Sequence, residues 1–328
     1  MTSNPFENSA AHHLPRYAIA LHGGAGGSPR LWSETVCREK RAGLAEALDR
    51  GIQILSASGS ALDAVEAVVR SLEDNPLFNA GRGCVLNEAG EHELDAAIMA
   101  GDKPSCGSVT GVKRVKNPVT LARRVMTDTP HVMLNAAGAD QFAESIGLEL
   151  ADAEYFRTTD QIQQWQKWRA RISGEATETD EPNDPSGSSV RYFGTVGCVA
   201  IDSSRCIAAA TSTGGLTGKR WGRVGDTPII GAGTYANNVS CGISCTGTGE
   251  EFIRHNVAAD ISARMRYAGA SLASAVNTII HEVLPADCGG LISVDRHYNI
   301  VMDYNTACMA RAAADSSGHR AVLLERET

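Results

Sequence analysis

The sequence predicts a layered α/β or α+β fold, on three observations. Its apolar segments divide into short β-type runs between glycine turns and longer runs with helical spacing. These group strand with strand and helix with helix, rather than alternating one for one. Its 328 residues suffice for two ordinary domains or one large one, with a core that needs no metal or disulfide staple. The 33 glycines and 11 prolines are scattered, which excludes collagen-like and low-complexity architectures.

The elements read in order as follows. Tyr17 to Leu21 is a short strand running into the glycine loop HGGAGG (22–27). From Ser33 to about Leu72 the apolar residues take helical spacing, with Leu44, Leu48, Val65, Val68 and Leu72 on helical faces and a break at Ser58-Gly59-Ser60. Asn75 to Gly83 is a loop, and Ala96–Met99 and Ser108–Val112 are strands. Pro118 to Met126 is a helix with proline in its first turn; His131–Leu134 is a strand, and helices follow at Ala137–Gly147 and Asp160–Ile172. Ser173 to Ser189 (SGEATETDEPNDPSGSS) holds five acidic and no basic residues, the composition of a disordered linker. Beyond it, Gly194–Ile201, Cys206–Ala210, Pro228–Ala232 and Val239–Cys245 read as strands. Glu250–Ala268 reads as one amphipathic helix and Ser271–Leu284 as another, before strands at Gly290–Val294 and Asn299–Tyr304.

Charge and composition exclude several functions. With 30 Lys+Arg against 38 Asp+Glu and no basic block, nucleic acid and anionic membranes are not expected partners. No run of about 18 apolar residues exists to span a bilayer, and Met1–Arg16 lacks the layout of a signal peptide. Nine cysteines without a Cys-x-x-Cys pattern fit free thiols in the reducing cytoplasm.

Among catalytic patterns, Gly-x-Ser-x-Gly is absent, HGGAGG lacks the Lys-Ser/Thr ending of a phosphate loop, and His92-Glu93 lacks the second histidine of a zinc site. One constellation survives. The acidic linker ends just before Gly194-Thr195, and Thr195 opens an apolar strand. Slack there is useful if the chain is cut at that bond. A threonine at a free N-terminus supplies a hydroxyl nucleophile and, in its own α-amine of pKa ~7.7–8.0, a base. Downstream, Thr246-Gly247 at a strand-to-helix junction offers a hydroxyl and a backbone N–H for an oxyanion, or else an ordinary helix cap. Arg223 and Asp226 offer a cation and an anion suited to a free amino acid, or else a surface ion pair.

The stretches HGGAGG (22–27), NPLFNAGRG (75–83), HELDAAIM (92–99), GTVG (194–197), TSTGG (211–215), GRVGDTPIIGAGTYANN (222–238) and SCTGTGE (244–250) together resemble the plant-type L-asparaginase / isoaspartyl aminopeptidase family of N-terminal nucleophile hydrolases. The similarity runs in order from about Tyr17 to about Ala307; glycosylasparaginases of the same superfamily look less similar. The resemblance implies a four-layer αββα sandwich of α+β class. It implies a precursor that cuts itself between Gly194 and Thr195 into an α chain (1–194, carrying the linker 173–193) and a β chain (195–328), paired as a dimer of heterodimers.

The resemblance also assigns the site. Thr195 becomes the nucleophile, with Thr213 beside it and Asn79 steadying the region. Arg223 and Asp226 hold the substrate carboxylate and ammonium, Gly249 adds a carbonyl, and Thr246 with Gly247 forms the oxyanion hole. No cofactor is required. The resemblance does imply a structural sodium ion on main-chain carbonyls of Leu72, Glu73, Asn75, Phe78, Ala80 and Arg82. L-asparagine and β-aspartyl dipeptides are the expected substrates, a glycosylasparaginase-like amidase or a silent binding protein being the alternatives. The tail after Ala307, with RAAADSSGHR, departs from the more hydrophobic ending expected.

Overall fold

The computed structural model describes residues 15–27, 32–174 and 194–326. In chain order the elements are β1 (Ala18–Ala25), α1 (Glu34–Ser56), α2 (Ala61–Glu73), β2 (Leu94–Ala100), β3 (Ser105–Val112), α3 (Pro118–Asp128), β4 (Met133–Asn135), α4 (Ala136–Ser145), α5 (Ala153–Phe156) and α6 (Thr159–Ser173). After the undescribed residues come β5 (Val196–Ile201), β6 (Ile207–Thr213), β7 (Thr234–Ala236), β8 (Cys241–Gly247), α7 (Gly249–Arg254), α8 (Val257–Tyr267), α9 (Leu272–Thr278), β9 (Gly289–Asp295), β10 (Ile300–Tyr304), β11 (Met309–Asp315) and β12 (Arg320–Leu323).

The strands form an eight-stranded sheet, ordered β12-β11-β1-β5-β6-β2-β3-β4, and a four-stranded sheet, ordered β10-β9-β8-β7. Pairing is antiparallel except between β3 and β4. The alternation of side chains along a strand decides what each face covers. In β1 and β5, Ile19, Leu21, Val196 and Cys198 pack with Leu44, Leu48, Val65 and Val68 of α1 and α2. The intervening Ala18, Ala20, Val199 and Ile201 pack with Ile292 and Val294 of β9 in the smaller sheet. The other face of that sheet, through Ile243, Cys245 and Leu291, meets Phe252, Ile261 and Val276 of the helices that follow β8. The large sheet is thus buried on both faces, and its central strands read as continuous apolar runs.

Helix starts follow local chemistry. Ser33 and Ser60 accept from the backbone N–H of Val36 and Asp63 at the heads of α1 and α2. Ser58 takes φ +63° in the break between them.

Three expectations change. Pro228–Ala232 is a set of turns, not a strand: Ile229 N–H and Gly233 N–H both return to the Asp226 carbonyl, and Gly231 adopts φ +96°. The strand there is the shorter β7. The single helix expected over Glu250–Ala268 is two, α7 and α8, broken where Asn256 takes φ +46°. The tail contains β11 and β12, with β11 seated between β12 and β1. Most of the expected linker, 175–193, lies outside the described residues, while Ser173 still ends α6. No disulfide joins any of the nine cysteines, all of which lie among the described residues. Among the described residues no helix is long and apolar enough to cross a membrane.

Candidate active site

Thr195 stands one residue before β5, whose pairing with β6 starts at Val196 opposite Ser212, and its side chain reaches Thr213. Its Oγ1 donates to Thr213 Oγ1 at 3.1 Å, and Thr213 Oγ1 also accepts from Gly215 N–H at 3.0 Å. Two hydroxyls and a main-chain amide therefore form one short chain at the end of β6. Thr195 is only 8% exposed, so its hydroxyl is directed rather than solvated.

Asn79 holds this corner through four hydrogen bonds, one of them from Gly214 N–H to its carbonyl at 3.2 Å. Its backbone N–H donates to the Gly194 carbonyl at 3.1 Å. Its Nδ2 donates to the Gly215 carbonyl at 2.9 Å and its Oδ1 accepts from Val85 N–H at 2.9 Å. Gly194 must be glycine here: a Cβ would lie 2.4 Å from Asn79 Cβ.

Thr195, Thr213, Gly215, Arg223, Asp226 and Gly247 line one small pocket. Arg223 and Asp226 are not a surface ion pair. The Arg223 guanidinium forks onto Glu250, with Nε and Nη2 each 2.9 Å from a carboxylate oxygen. Asp226 is buried, and its Oδ2 has no hydrogen-bond partner. Burial pushes the Asp226 carboxyl up to about 7, against the pull of the nearby Arg223 charge. Gly249 completes the corner, since a Cβ there would sit 2.8 Å from Asp226 Oδ1. An unpartnered buried carboxylate oxygen beside a guanidinium is the arrangement an α-amino acid would satisfy.

Thr246 and Gly247 end β8. Thr246 Oγ1 accepts from Ala25 N–H at 3.2 Å, and the helix cap is Thr248, which makes no side-chain capping bond. The capping alternative for Thr246 therefore fails. Gly247 has no room for a side chain, because a Cβ would lie 2.3 Å from the Cys288 carbonyl.

The sequence reading left Glu250 and His22 out of the site. His22 of β1 is fully buried, with Nδ1 2.9 Å from the Thr195 carbonyl and Nε2 2.9 Å from Ser244 Oγ. Its ring does not contact the Thr195 hydroxyl, and burial pushes its pKa down to about 3. The signal lay in HGGAGG, which contains a histidine that a turn does not need. His92, by contrast, bonds the Lys113 carbonyl at 2.7 Å and stacks on Phe156.

Among the described residues no His, Cys, Asp and Glu cluster suits a metal ion. The loop 72–82 offers carbonyls instead. Asn75, Phe78 and Ala80 each accept one turn hydrogen bond and keep a second lone pair, while the Leu72 carbonyl already accepts from both Asp74 and Asn75 N–H. Gly81, at φ +50°, closes so tightly on the Glu73 carbonyl that a Cβ would stand 2.5 Å from it. That cradle is compatible with a small hard cation.

The asparaginase family model matches residues 15–324 of this chain. A probable isoaspartyl peptidase/L-asparaginase 2 of Arabidopsis thaliana is 42% identical over 322 residues, covering 94% of this chain and 98% of that protein. The isoaspartyl peptidase of Escherichia coli K12 is 46% identical over 303 residues, covering 91% and 93%. A plant-type L-asparaginase of Thermococcus kodakarensis is 40% identical over 305 residues, covering 90% and 95%. With the family match spanning nearly the whole chain and these relatives aligned from end to end, the chain belongs to the asparaginase family of hydrolases.

Proposed function

We propose that this chain is an autoprocessed threonine hydrolase that cleaves the side-chain amide of L-asparagine and the isopeptide bond of β-aspartyl dipeptides, releasing L-aspartate. The observation that carries the reading is the Thr195–Thr213 hydroxyl pair at 3.1 Å, in one pocket with Arg223 and the unpartnered oxygen of Asp226. The names of the relatives, isoaspartyl peptidase and L-asparaginase, support it. The packing of helices on both outer faces of two stacked sheets supports the αββα sandwich of N-terminal nucleophile hydrolases.

Maturation begins with Thr195 Oγ attacking the Gly194 carbonyl carbon. The C–N bond breaks, the hydroxyl proton ends on the Thr195 nitrogen, and water then hydrolyses the ester to free the Gly194 carboxylate and the Thr195 hydroxyl. The Asn79 N–H already on the Gly194 oxygen stabilises the charge that develops there.

In turnover the freed α-amine takes the Thr195 hydroxyl proton as Oγ attacks the substrate amide carbon. Thr246 and Gly247 hold the oxyanion, and the departing ammonia or amine leaves with the proton. Water then releases aspartate from the ester. Arg223 takes the α-carboxylate, and Asp226 with the Gly249 carbonyl takes the ammonium.

Sodium on the carbonyls of Leu72, Glu73, Asn75, Phe78, Ala80 and Arg82 would contribute rigidity, fixing the loop that presents Asn79. The two chains stay together and pair as a dimer of αβ heterodimers, and nine cysteines without a disulfide favour a cytoplasmic setting.

Denaturing electrophoresis followed by kcat/KM on L-asparagine, a β-aspartyl dipeptide and a glycosylated asparagine tests the reading. Two fragments with activity on the first two substrates support it. A single inactive chain indicates a silent protein, and preference for the third indicates a glycosylasparaginase-like amidase.

A further inference from the structure

The large sheet places His22, Gly197 and Thr211 in one row across β1, β5 and β6. A Cβ on Gly197 would lie 1.9 Å from Ser244 Oγ and 2.6 Å from His22 Nε2. The last residue of GTVG is therefore glycine because a histidine–serine pair lies over it. Ser244 Oγ is 2.7 Å from Thr211 Oγ1, and Thr211 Oγ1 is 2.6 Å from Thr234 Oγ1. His22, Thr211, Thr234 and Ser244 are all fully buried, and the proposed chemistry uses none of them.

We infer that the buried chain Thr234–Thr211–Ser244–His22, which ends on the main-chain carbonyl of Thr195, holds the backbone of the nucleophile in its reactive position. His22 is the positioning residue of that chain. The inference rests on the reading of Thr195 as nucleophile.

The protons can be placed by elimination. A carbonyl oxygen only accepts, so His22 Nδ1 carries a hydrogen and donates to Thr195. Burial keeps the ring neutral, so Nε2 accepts the single proton of Ser244. Ser244 Oγ then accepts from Thr211, and Thr234 shares its one hydroxyl hydrogen between Thr211 Oγ1 at 2.6 Å and the Thr227 carbonyl at 3.0 Å. From Thr211 through Ser244 to His22 each donor points toward Thr195, which fixes both the tautomer and the tilt of the ring.

The need for such a brace follows from the proposed maturation. Ladder pairing of β5 starts at Val196 with β6 and at Gly197 with β1, so Thr195 lies just outside both. Cutting the bond to Gly194 removes the covalent tether on its amino side and the Asn79 contact that reaches it through the Gly194 carbonyl. The Thr195 carbonyl is untouched by the cut, and His22 holds it. An N-terminal residue free to rotate would spend little time with Oγ aligned for attack, and misplacement by about 1 Å can cost ~10²-fold in rate.

The test compares two near-isosteric replacements in processed enzyme. Asparagine puts its amide nitrogen near the Nδ1 position and can still donate to Thr195. Glutamine reaches the Nε2 position and keeps Ser244 instead. His22→Gln should lower kcat on L-asparagine by about 10- to 100-fold with KM changed by less than about twofold, since the ring touches neither Arg223 nor Asp226. His22→Asn should recover most of that loss. Equal kcat in the two variants, or an effect confined to KM, would mean a packing role and overturn the inference. If neither variant folds, Ser244→Ala decides: it removes the donor to Nε2 and should lower kcat severalfold at constant KM, and an unaltered kcat overturns the inference. A wild-type chain uncut at Thr195 or inactive on both substrates overturns the nucleophile reading, and this inference with it. An active, processed wild type beside a His22→Gln variant of normal kcat overturns this inference alone.

Discussion

The Arg223 guanidinium meets the Glu250 carboxylate as a fork, two nitrogens on two oxygens at 2.9 Å. The planar group is thereby held at the pocket edge before any substrate arrives, and the geometry it presents is the one an α-carboxylate needs. Arg223→Lys keeps the charge and loses the fork. It should lower kcat/KM for L-asparagine by roughly tens-fold, the scale of a charge-assisted pair at ~1.5–3 kcal/mol, mainly through KM. Self-cleavage should proceed nearly as before, because it involves no bound substrate. Steady-state kinetics on the fully processed variant checks both halves.

Asp226 sets a pH dependence. Its carboxyl, pushed up to about 7 by burial, is neutral in the free protein below that pH and cannot pair with an ammonium. The Thr195 α-amine, at ~7.7–8.0 or lower, must also lose a proton before it can act as a base. Both groups work only when deprotonated, so kcat/KM should rise with pH through a limb that steepens toward two protons below about pH 7. Bound ammonium holds Asp226 ionised, so the kcat limb should follow one proton. Asp226→Asn should be weaker overall and show a one-proton limb in kcat/KM.

Thr213→Val removes the acceptor 3.1 Å from Thr195 Oγ1 while keeping the shape of the side chain. Both self-cleavage and kcat should slow, by about 10- to 100-fold for a lost directing hydrogen bond. The rate of fragment appearance and the kcat of the processed fraction measure the two effects separately.

Glu73 is fully buried, with Oε1 accepting from Val119 N–H at 3.0 Å and Oε2 unpartnered. Burial pushes its pKa up to about 8. The folded state therefore holds a proton that the unfolded chain releases above its usual carboxylate pKa. The stability from this group is full at low pH and declines as pH rises from the ordinary range to about 8. Glu73→Gln should flatten that part of the Tm-against-pH profile and raise Tm at pH 8, as calorimetry would show.

How much of this was legible in the sequence differs by element. β5 and β6 announced themselves as apolar runs, because apolar clusters cover both faces of each. β11 did not. Its Ala310, Ala312, Ala313 and Ala314 carry a weak apolar signal and Arg311 interrupts it, yet alanine suits a strand pressed between helices and a second sheet. Pro228–Ala232 has a strand's composition, but backbone bonds to the Asp226 carbonyl fold it into turns that bury Asp226. Thr195, Arg223 and Asp226 could be reached from residue chemistry and motif order. Glu250 could not, and His22 left only the hint of a histidine in a glycine turn, because their roles depend on partners 27 and 173 residues away in the chain.

Intact-mass analysis with N-terminal sequencing of the purified wild type and of Thr195→Ala tests the central claim most directly. The wild type should give two fragments of about 20 and about 14 kDa, in proportion to chain length, the smaller beginning at Thr195. Thr195→Ala should remain a single chain of 34.6 kDa. A wild type that stays whole, a cut at any other bond, or a Thr195→Ala chain that still splits before residue 195 would contradict the account.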